Sequence, residues 1–162
     1  MTRTLDWKAA IAAGIVAGVV FMMLEMLLVQ MFQPMSMWAP PRMIAAMAMG
    51  REILPPPDTF DAMALMVAML IHFPLSIIYA IILGWIISRW ELGLMAAMIA
   101  GLVFGLVIYV VNFYGFTAVF PWFADARGWV ALFSHAMFGL VLGLVYEPLE
   151  RHDERHKTAS QL

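Results

Sequence analysis

Long apolar stretches alternate with short polar segments along this chain, and four of the stretches are long enough to cross a membrane. They cover residues 9–32, 62–88, 92–114 and 129–147. A hydrocarbon core about 30 Å thick needs about 20 helical residues. Backbone groups in lipid find hydrogen-bond partners only within helices or closed barrels. The pattern therefore predicts an all-α membrane protein, a bundle of four transmembrane helices.

The composition supports this fold class and limits the partners. Of the 162 residues, 64% are hydrophobic and 12% are charged, whereas a soluble domain is nearer half apolar and a quarter charged. We therefore predict a single transmembrane domain over residues 1–150, followed by a charged cytoplasmic tail over residues 151–162. The net charge of −2 predicts no nucleic-acid partner, and the absence of cysteine excludes disulfides and thiolate metal sites.

The distribution of lysine and arginine predicts how the bundle is oriented. With both termini inside, the inner segments carry six of these residues and the outer loops carry three, namely Arg42, Arg51 and Arg127. Cytoplasmic segments carry the excess of positive charge, so we expect both termini to be cytoplasmic in a multi-pass protein of the bacterial inner membrane. In the first outer loop, residues 33–61, the short apolar run 42–50 predicts an interfacial or re-entrant helix.

Small residues recur at four-residue spacing in all four predicted helices. The pairs are Gly14/Gly18, Ala80/Gly84, Gly101/Gly105 and Gly139/Gly143. Small residues at this spacing let membrane helices approach closely. Their distance from polar residues also repeats, since Gly18 precedes Glu25 by the same interval as Gly105 precedes Asn112. This order predicts two repeated helical hairpins of the same orientation.

Each predicted span carries one strongly polar residue: Glu25, His72, Asn112 and His135. A polar side chain in a bilayer is costly unless it finds a partner, so such residues usually face the protein interior. Counting along the helices places all four in the outer third of the membrane or at its boundary, on the faces that carry the small residues. Tyr79 and Tyr109 lie close to the same faces. We therefore predict one buried polar cluster near the outer side.

Three functions fit such a cluster. In the leading interpretation the polar groups fix helix register, and the protein is a non-catalytic accessory or assembly subunit of an inner-membrane complex such as a respiratory one, or a homo-oligomer. In the second, His72 and His135 ligate haem b, with Arg42 or Arg127 on its propionates, or Glu25 joins both histidines around a first-row metal. The third is movement of protons or a small solute.

No enzyme motif stands out in the chain. A P-loop, a dinucleotide-binding G-x-G-x-x-G and a G-x-S-x-G elbow are all missing, so the sequence favours a protein without catalytic residues. Two M-x-M pairs, Met35/Met37 and Met47/Met49, offer soft thioethers that select Cu(I). With 16 methionines spread through the chain, apolar filling explains these pairs more simply.

Several stretches resemble a known family. They are WAPPRMIAAMAMG ending at Gly50, HFPLSIIYA beginning at His72, and the segment from Asn112 through Tyr146. The chain is similar there to a widespread family of short bacterial inner-membrane proteins with four predicted spans, some of which carry a sodium–proline symporter label. The resemblance covers most of residues 10–147 and implies a shared four-helix fold, but it supplies no functional residues. At 162 residues the chain is far shorter than such a symporter.

Overall fold

The chain is all-α, as the hydrophobic pattern predicted. The computed structural model describes the backbone of residues 3–159 and the side chains of residues 3–153. The helices are α1 (Trp7–Phe32), α2 (Ala39–Met49), α3 (Ala62–Arg89), α4 (Leu94–Val110) and α5 (Trp129–Ala159). Among the described residues, α1, α3, α4 with its continuation and α5 are long and apolar enough to cross a membrane. The fold is therefore a four-helix bundle of a multi-pass membrane protein.

Local chemistry sets where the helices begin and end. The Asp6 carboxylate caps α1 by accepting from the N–H groups of Lys8 and Ala9 at 2.9 and 3.0 Å. Asp61 caps α3 in a similar way. Two prolines occupy the first turn of α2, where a missing N–H is tolerated. Gly50 ends that helix with a φ of +93°, a conformation that favours glycine.

The hairpin of α4 and α5 is built on backbone contacts at small residues. Gly101 and Gly139 face each other so closely that a Cβ on either would overlap the carbonyl group of the other. Gly105 and Gly143 are in equally close contact with the backbone of the facing helix. All four predicted packing glycines of this hairpin therefore lie in the helix interface.

The hairpin of α1 and α3 also has close contacts at small residues, but they are less tight. A Cβ on Gly14 would lie 2.8 Å from the Cα of Ile77, and one on Gly18 would lie 2.9 Å from a serine hydroxyl of α3. Ala80 is buried, and Gly84 abuts an aromatic ring of α5. Gly14 and Gly18 therefore lie in a helix interface, as the two packing glycines of α4 do, whereas Gly84 packs against α5 rather than α1. The repeat stays a prediction.

The helix α5 is longer than the hydrophobic pattern indicated. It continues to Ala159, so the described part of the predicted tail is helical, and residues 160–162 lie outside the description. Glu147 and Glu150 are 3% and 0% exposed, because they lie on the face that packs against the bundle. Both residues precede the predicted charged tail of residues 151–162 and belong to the packed part of the bundle.

The first described residues and the C-terminal part of α5 lie at one end of the bundle, which we call the terminal end. There Arg3 donates to the Glu150 carboxylate at 3.3 Å. The opposite end, which we call the loop end, carries α2 and the segment between α4 and α5. Buried Ala45 packs α2 against α3, and the Trp122 indole donates to the carbonyl of Met43 at 3.0 Å. The predicted short apolar helix is therefore held from two sides and covers the loop end.

Candidate functional site

A cavity of about 120 Å³ lies between α2 and the interior of the bundle. It is lined by Glu25, His72, Tyr79, Asn112 and His135. These are five of the six residues in the predicted polar cluster. The sixth, Tyr109, packs against His135 with ring centroids 5.9 Å apart but is not among the lining residues. The fold thus gathers polar groups from all four membrane helices around one space.

Three of these side chains form one directed hydrogen-bond chain. The Tyr79 hydroxyl donates to Asn112 Oδ1 at 3.0 Å, and the Asn112 amide donates to His135 Nε2 at 3.2 Å. His135 Nδ1 donates to the carbonyl of Ala131 at 2.7 Å. Because a carbonyl only accepts, Nδ1 carries the proton and Nε2 is the acceptor. The chain therefore joins α3 to α5 and assigns the tautomer of His135.

Asn112 lies where the helical backbone changes pitch. The α-helical part of α4 ends at Val110, and Val111–Gly115 follow as a π-helical turn. Such turns occur frequently at functional sites. Arg127 supports this one by donating to the carbonyl of Phe113 at 2.7 Å. The apolar sequence gives no signal for the turn, since its residue types suit an ordinary transmembrane helix equally well.

His72 is bonded within the α1–α3 hairpin. Its Nε2 donates to the carbonyl of Gly18 at 2.9 Å, and Ser76 Oγ lies 3.5 Å from the same nitrogen. Because Nε2 carries the proton, it does not act as a base toward Ser76. The pair therefore lacks the arrangement of an activated nucleophile.

Phe21 lies between the two histidines. Its ring stacks on His72 with centroids 5.4 Å apart and meets His135 edge-on at 4.8 Å. Both Nε2 atoms already take part in hydrogen bonds. A haem iron bound by both histidines would need those nitrogens and the space of this ring. The geometry therefore does not support the predicted bis-histidine haem, and sequence reasoning missed Phe21.

The two arginines predicted as propionate partners hold loops instead. Arg42 is 8% exposed and donates to the carbonyls of Thr59 and Ile53 at 2.9 and 3.1 Å. Arg127 donates to a carbonyl of the π-helical turn and lies 4.3 Å from the ring centroid of Tyr114. Neither arginine lines the cavity. The sequence predicted that both arginines lie in the loops at the same end of the bundle, but it did not predict their partners, because a guanidinium group also donates to backbone carbonyls that the fold brings near it.

Glu25 is incompletely hydrogen-bonded. The side chain faces Ser134, yet among the described residues neither Glu25 Oε2 nor Ser134 Oγ has a hydrogen-bond partner of normal geometry. No group of three His, Asp or Glu in the described part of the chain is placed to hold a metal ion. The predicted metal set of Glu25, His72 and His135 is therefore not gathered as ligands, although all three side chains line the cavity.

An apolar layer separates the cavity from the terminal end. Along α3, Tyr79 and Ser88 are about 13 Å apart by helical rise, and the buried residues between them pack with Leu142 in the main apolar core. Beyond the layer, Ser88, Tyr146 and Glu150 form a second hydrogen-bonded cluster. A polar chain for proton relay is thus interrupted within the described residues.

Comparison with protein-family models, curated proteins and solved structures finds no match for this chain. The family resemblance seen in the sequence therefore stays a prediction. The class of protein follows from the fold and the cavity: a four-helix membrane protein with an internal, partly polar site near one end of the bundle.

Proposed function

We propose that the protein is a non-catalytic binding protein that takes a small, largely apolar molecule into the cavity beneath α2. The observation that supports this is a cavity of about 120 Å³ whose walls are mainly aromatic and thioether side chains, with a few polar groups among them. An apolar cavity of about 150 Å³ in another protein holds benzene, so a ligand of similar size is expected. Apolar walls with a few placed polar groups are typical of ligand sites.

The walls favour an adaptable site. Met22 of α1 and Met43 and Met47 of α2 line the cavity, and methionine side chains repack easily around bound molecules. One hydrogen bond from Trp122 to the carbonyl of Met43 joins α2 to the segment before α5. Separation of these two segments would admit a ligand from the loop end.

We place the cavity on the outer side of a bacterial inner membrane. Three of the nine lysines and arginines lie at the loop end, and the excess of positive charge marks the cytoplasmic side. With both termini cytoplasmic, the ligand enters from the outer side.

Other predicted functions relate differently to this site. An accessory role in a larger complex, with other membrane subunits or a second copy as partner, stays a prediction and is compatible with ligand binding. Such partners would contact lipid-facing residues such as Leu70 and Ile99, which are 74% and 59% exposed. Electron transfer through haem and proton relay have less support, because Phe21 lies between the histidines and an apolar layer interrupts the polar groups.

Methyl NMR of methionine-labelled protein in nanodiscs tests the proposal, with benzyl alcohol as the probe. Met22 and Met43 are buried at the cavity, whereas Met95 is 70% exposed on the outside of the bundle. We expect saturable shifts at Met22 and Met43. At Met95 we expect a change proportional to probe concentration, because the probe also dissolves in the lipid.

Filling the cavity provides the control. Ile44 of α2 lines the cavity, and Ala48 of the same helix is exposed. We expect Ile44→Trp to abolish the saturable shifts and Ala48→Trp to preserve them. Proportional shifts at every methionine, or unchanged binding in folded Ile44→Trp protein, would contradict the proposal.

A further inference from the structure

We infer that the ligand is a small protonated primary amine whose ammonium group binds Glu25, an inference that rests on the proposed binding function. Glu25 is 7% exposed and lines the cavity, and its Oε2 has no hydrogen-bond partner among the described residues. A buried carboxylate oxygen without a donor is costly. A ligand that donates a charge-assisted hydrogen bond to it removes that cost.

No permanently charged cation among the described residues lines the cavity beside this carboxylate. None of its described lining residues is a lysine or arginine. Arg42 and Arg127, at the same end of the bundle, donate to backbone carbonyls. His135 accepts from Asn112 at Nε2 and is neutral in that arrangement. A bound cation supplies the positive charge that the site lacks.

The aromatic walls suit the same ligand. Six aromatic rings line the cavity, from Phe21, Tyr79, Phe113, Phe116, Phe123 and Phe138. The faces of such rings attract cations, and their apolar surface favours an apolar substituent on the amine. A primary amine is preferred over a quaternary ammonium because only N–H groups donate to the Glu25 oxygen.

Benzylamine and benzyl alcohol separate the effect of charge from that of size. The two probes share a ring and a methylene group, and the amine is protonated at neutral pH. In nanodiscs of uncharged phosphatidylcholine, we expect the methionine shifts to saturate at least about tenfold earlier with benzylamine than with benzyl alcohol, since a hydrogen bond to a charged group contributes on that scale.

Two carboxylate variants locate the source of the preference. Glu25→Gln keeps the side-chain shape and is expected to bring the ratio of the two affinities close to one while benzyl alcohol still binds. Glu52→Gln removes an exposed carboxylate at the loop end and is expected to leave the ratio unchanged. An equal loss in both variants would assign the preference to the surface charge of the loop end and overturn the inference.

The outcomes distinguish the inference from the function on which it rests. Equal affinities of wild-type protein for the two probes would refute the amine while leaving the cavity as a binding site. Saturable binding of neither probe would refute both. If Glu25→Gln protein does not fold, the ratio of the wild-type affinities for benzylamine and benzyl alcohol decides whether the inference stands.

Discussion

Tyr146 is the centre of the second polar cluster, at the terminal end. Its hydroxyl accepts from the backbone N–H of Asp6 at 3.1 Å, lies 2.8 Å from Ser88 Oγ and donates to Glu150 at 3.3 Å. Arg3 adds an ion pair to Glu150 at 3.3 Å. One hydroxyl therefore connects the segment before α1 with α3 and α5.

Removing this hydroxyl tests its contribution to stability. Tyr146→Phe removes a donor from the fully buried Glu150 carboxylate, and a buried polar group that loses its hydrogen bond costs about 1–3 kcal/mol. We expect the free energy of unfolding in detergent to fall by about 2 kcal/mol. Tyr114→Phe is the matched control, since that ring is 57% exposed, and it is expected to change stability by less than about 0.5 kcal/mol. Equal effects would contradict a structural role for the cluster.

Polar residues inside apolar runs were predictable, and polar residues near helix ends were not. Lipid offers Glu25 no partner, so the sequence alone places it inside the bundle. Near the membrane boundary either water or protein satisfies a carboxylate, and the sequence does not show that Arg3 lies beside Glu150. Phe21 is apolar, so the need of a polar group for a partner does not determine its position. An aromatic residue suits lipid and core equally, so its place between the histidines emerges only from the packed structure.

The interface between α4 and α5 leaves no room for a side chain at Gly139. A Cβ there would overlap the carbonyl of Gly101. Because Gly139→Ala forces the helices apart, we expect it to lower the free energy of unfolding by about 3 kcal/mol, at the upper end of typical overpacking costs.

The matched control is Gly128→Ala, where an added Cβ would have no neighbour within 4 Å. We expect it to change stability by less than about 0.5 kcal/mol. Thermal unfolding of both variants in the same detergent makes the comparison. Wild-type stability of Gly139→Ala would show that the hairpin does not depend on this close approach.

Hydropathy predicted that the four long helices exist, but it did not predict where each of them ends. The predicted span 62–88 agrees with α3, because its apolar run and the helix end together. The predicted span 129–147 begins at the first residue of α5 but ends well before Ala159. Hydropathy shows which part of a helix is apolar enough for lipid, whereas α5 continues through charged residues such as Glu150, which packs on the bundle, and Arg151, which is exposed.

At the scale of the whole molecule, the orientation in the membrane is testable because cysteine is absent from the sequence. Glu52 lies at the loop end and Trp90 at the terminal end, and both are exposed. In intact bacterial cells we expect a membrane-impermeant maleimide to label Glu52→Cys and to label Trp90→Cys only after lysis. The reverse pattern would place the cavity on the cytoplasmic side.

The common level of the polar residues was predictable, but the cavity beside them was not. Helical rise gives the depth of Glu25, His72, Asn112 and His135 without a structure. An unfilled space depends on how α2 packs over the bundle and on the rotamers of side chains from five helices. No local sequence pattern records that arrangement.

The apolar layer between Tyr79 and Ser88 determines whether ions and polar solutes can pass through the bundle. Ions and polar solutes meet hydrocarbon side chains between the cavity and the terminal end, so this conformation offers them no continuous polar path through the bundle. A molecule bound in the cavity, as we propose, is therefore expected to leave beside α2, by the route through which it entered, without crossing the membrane.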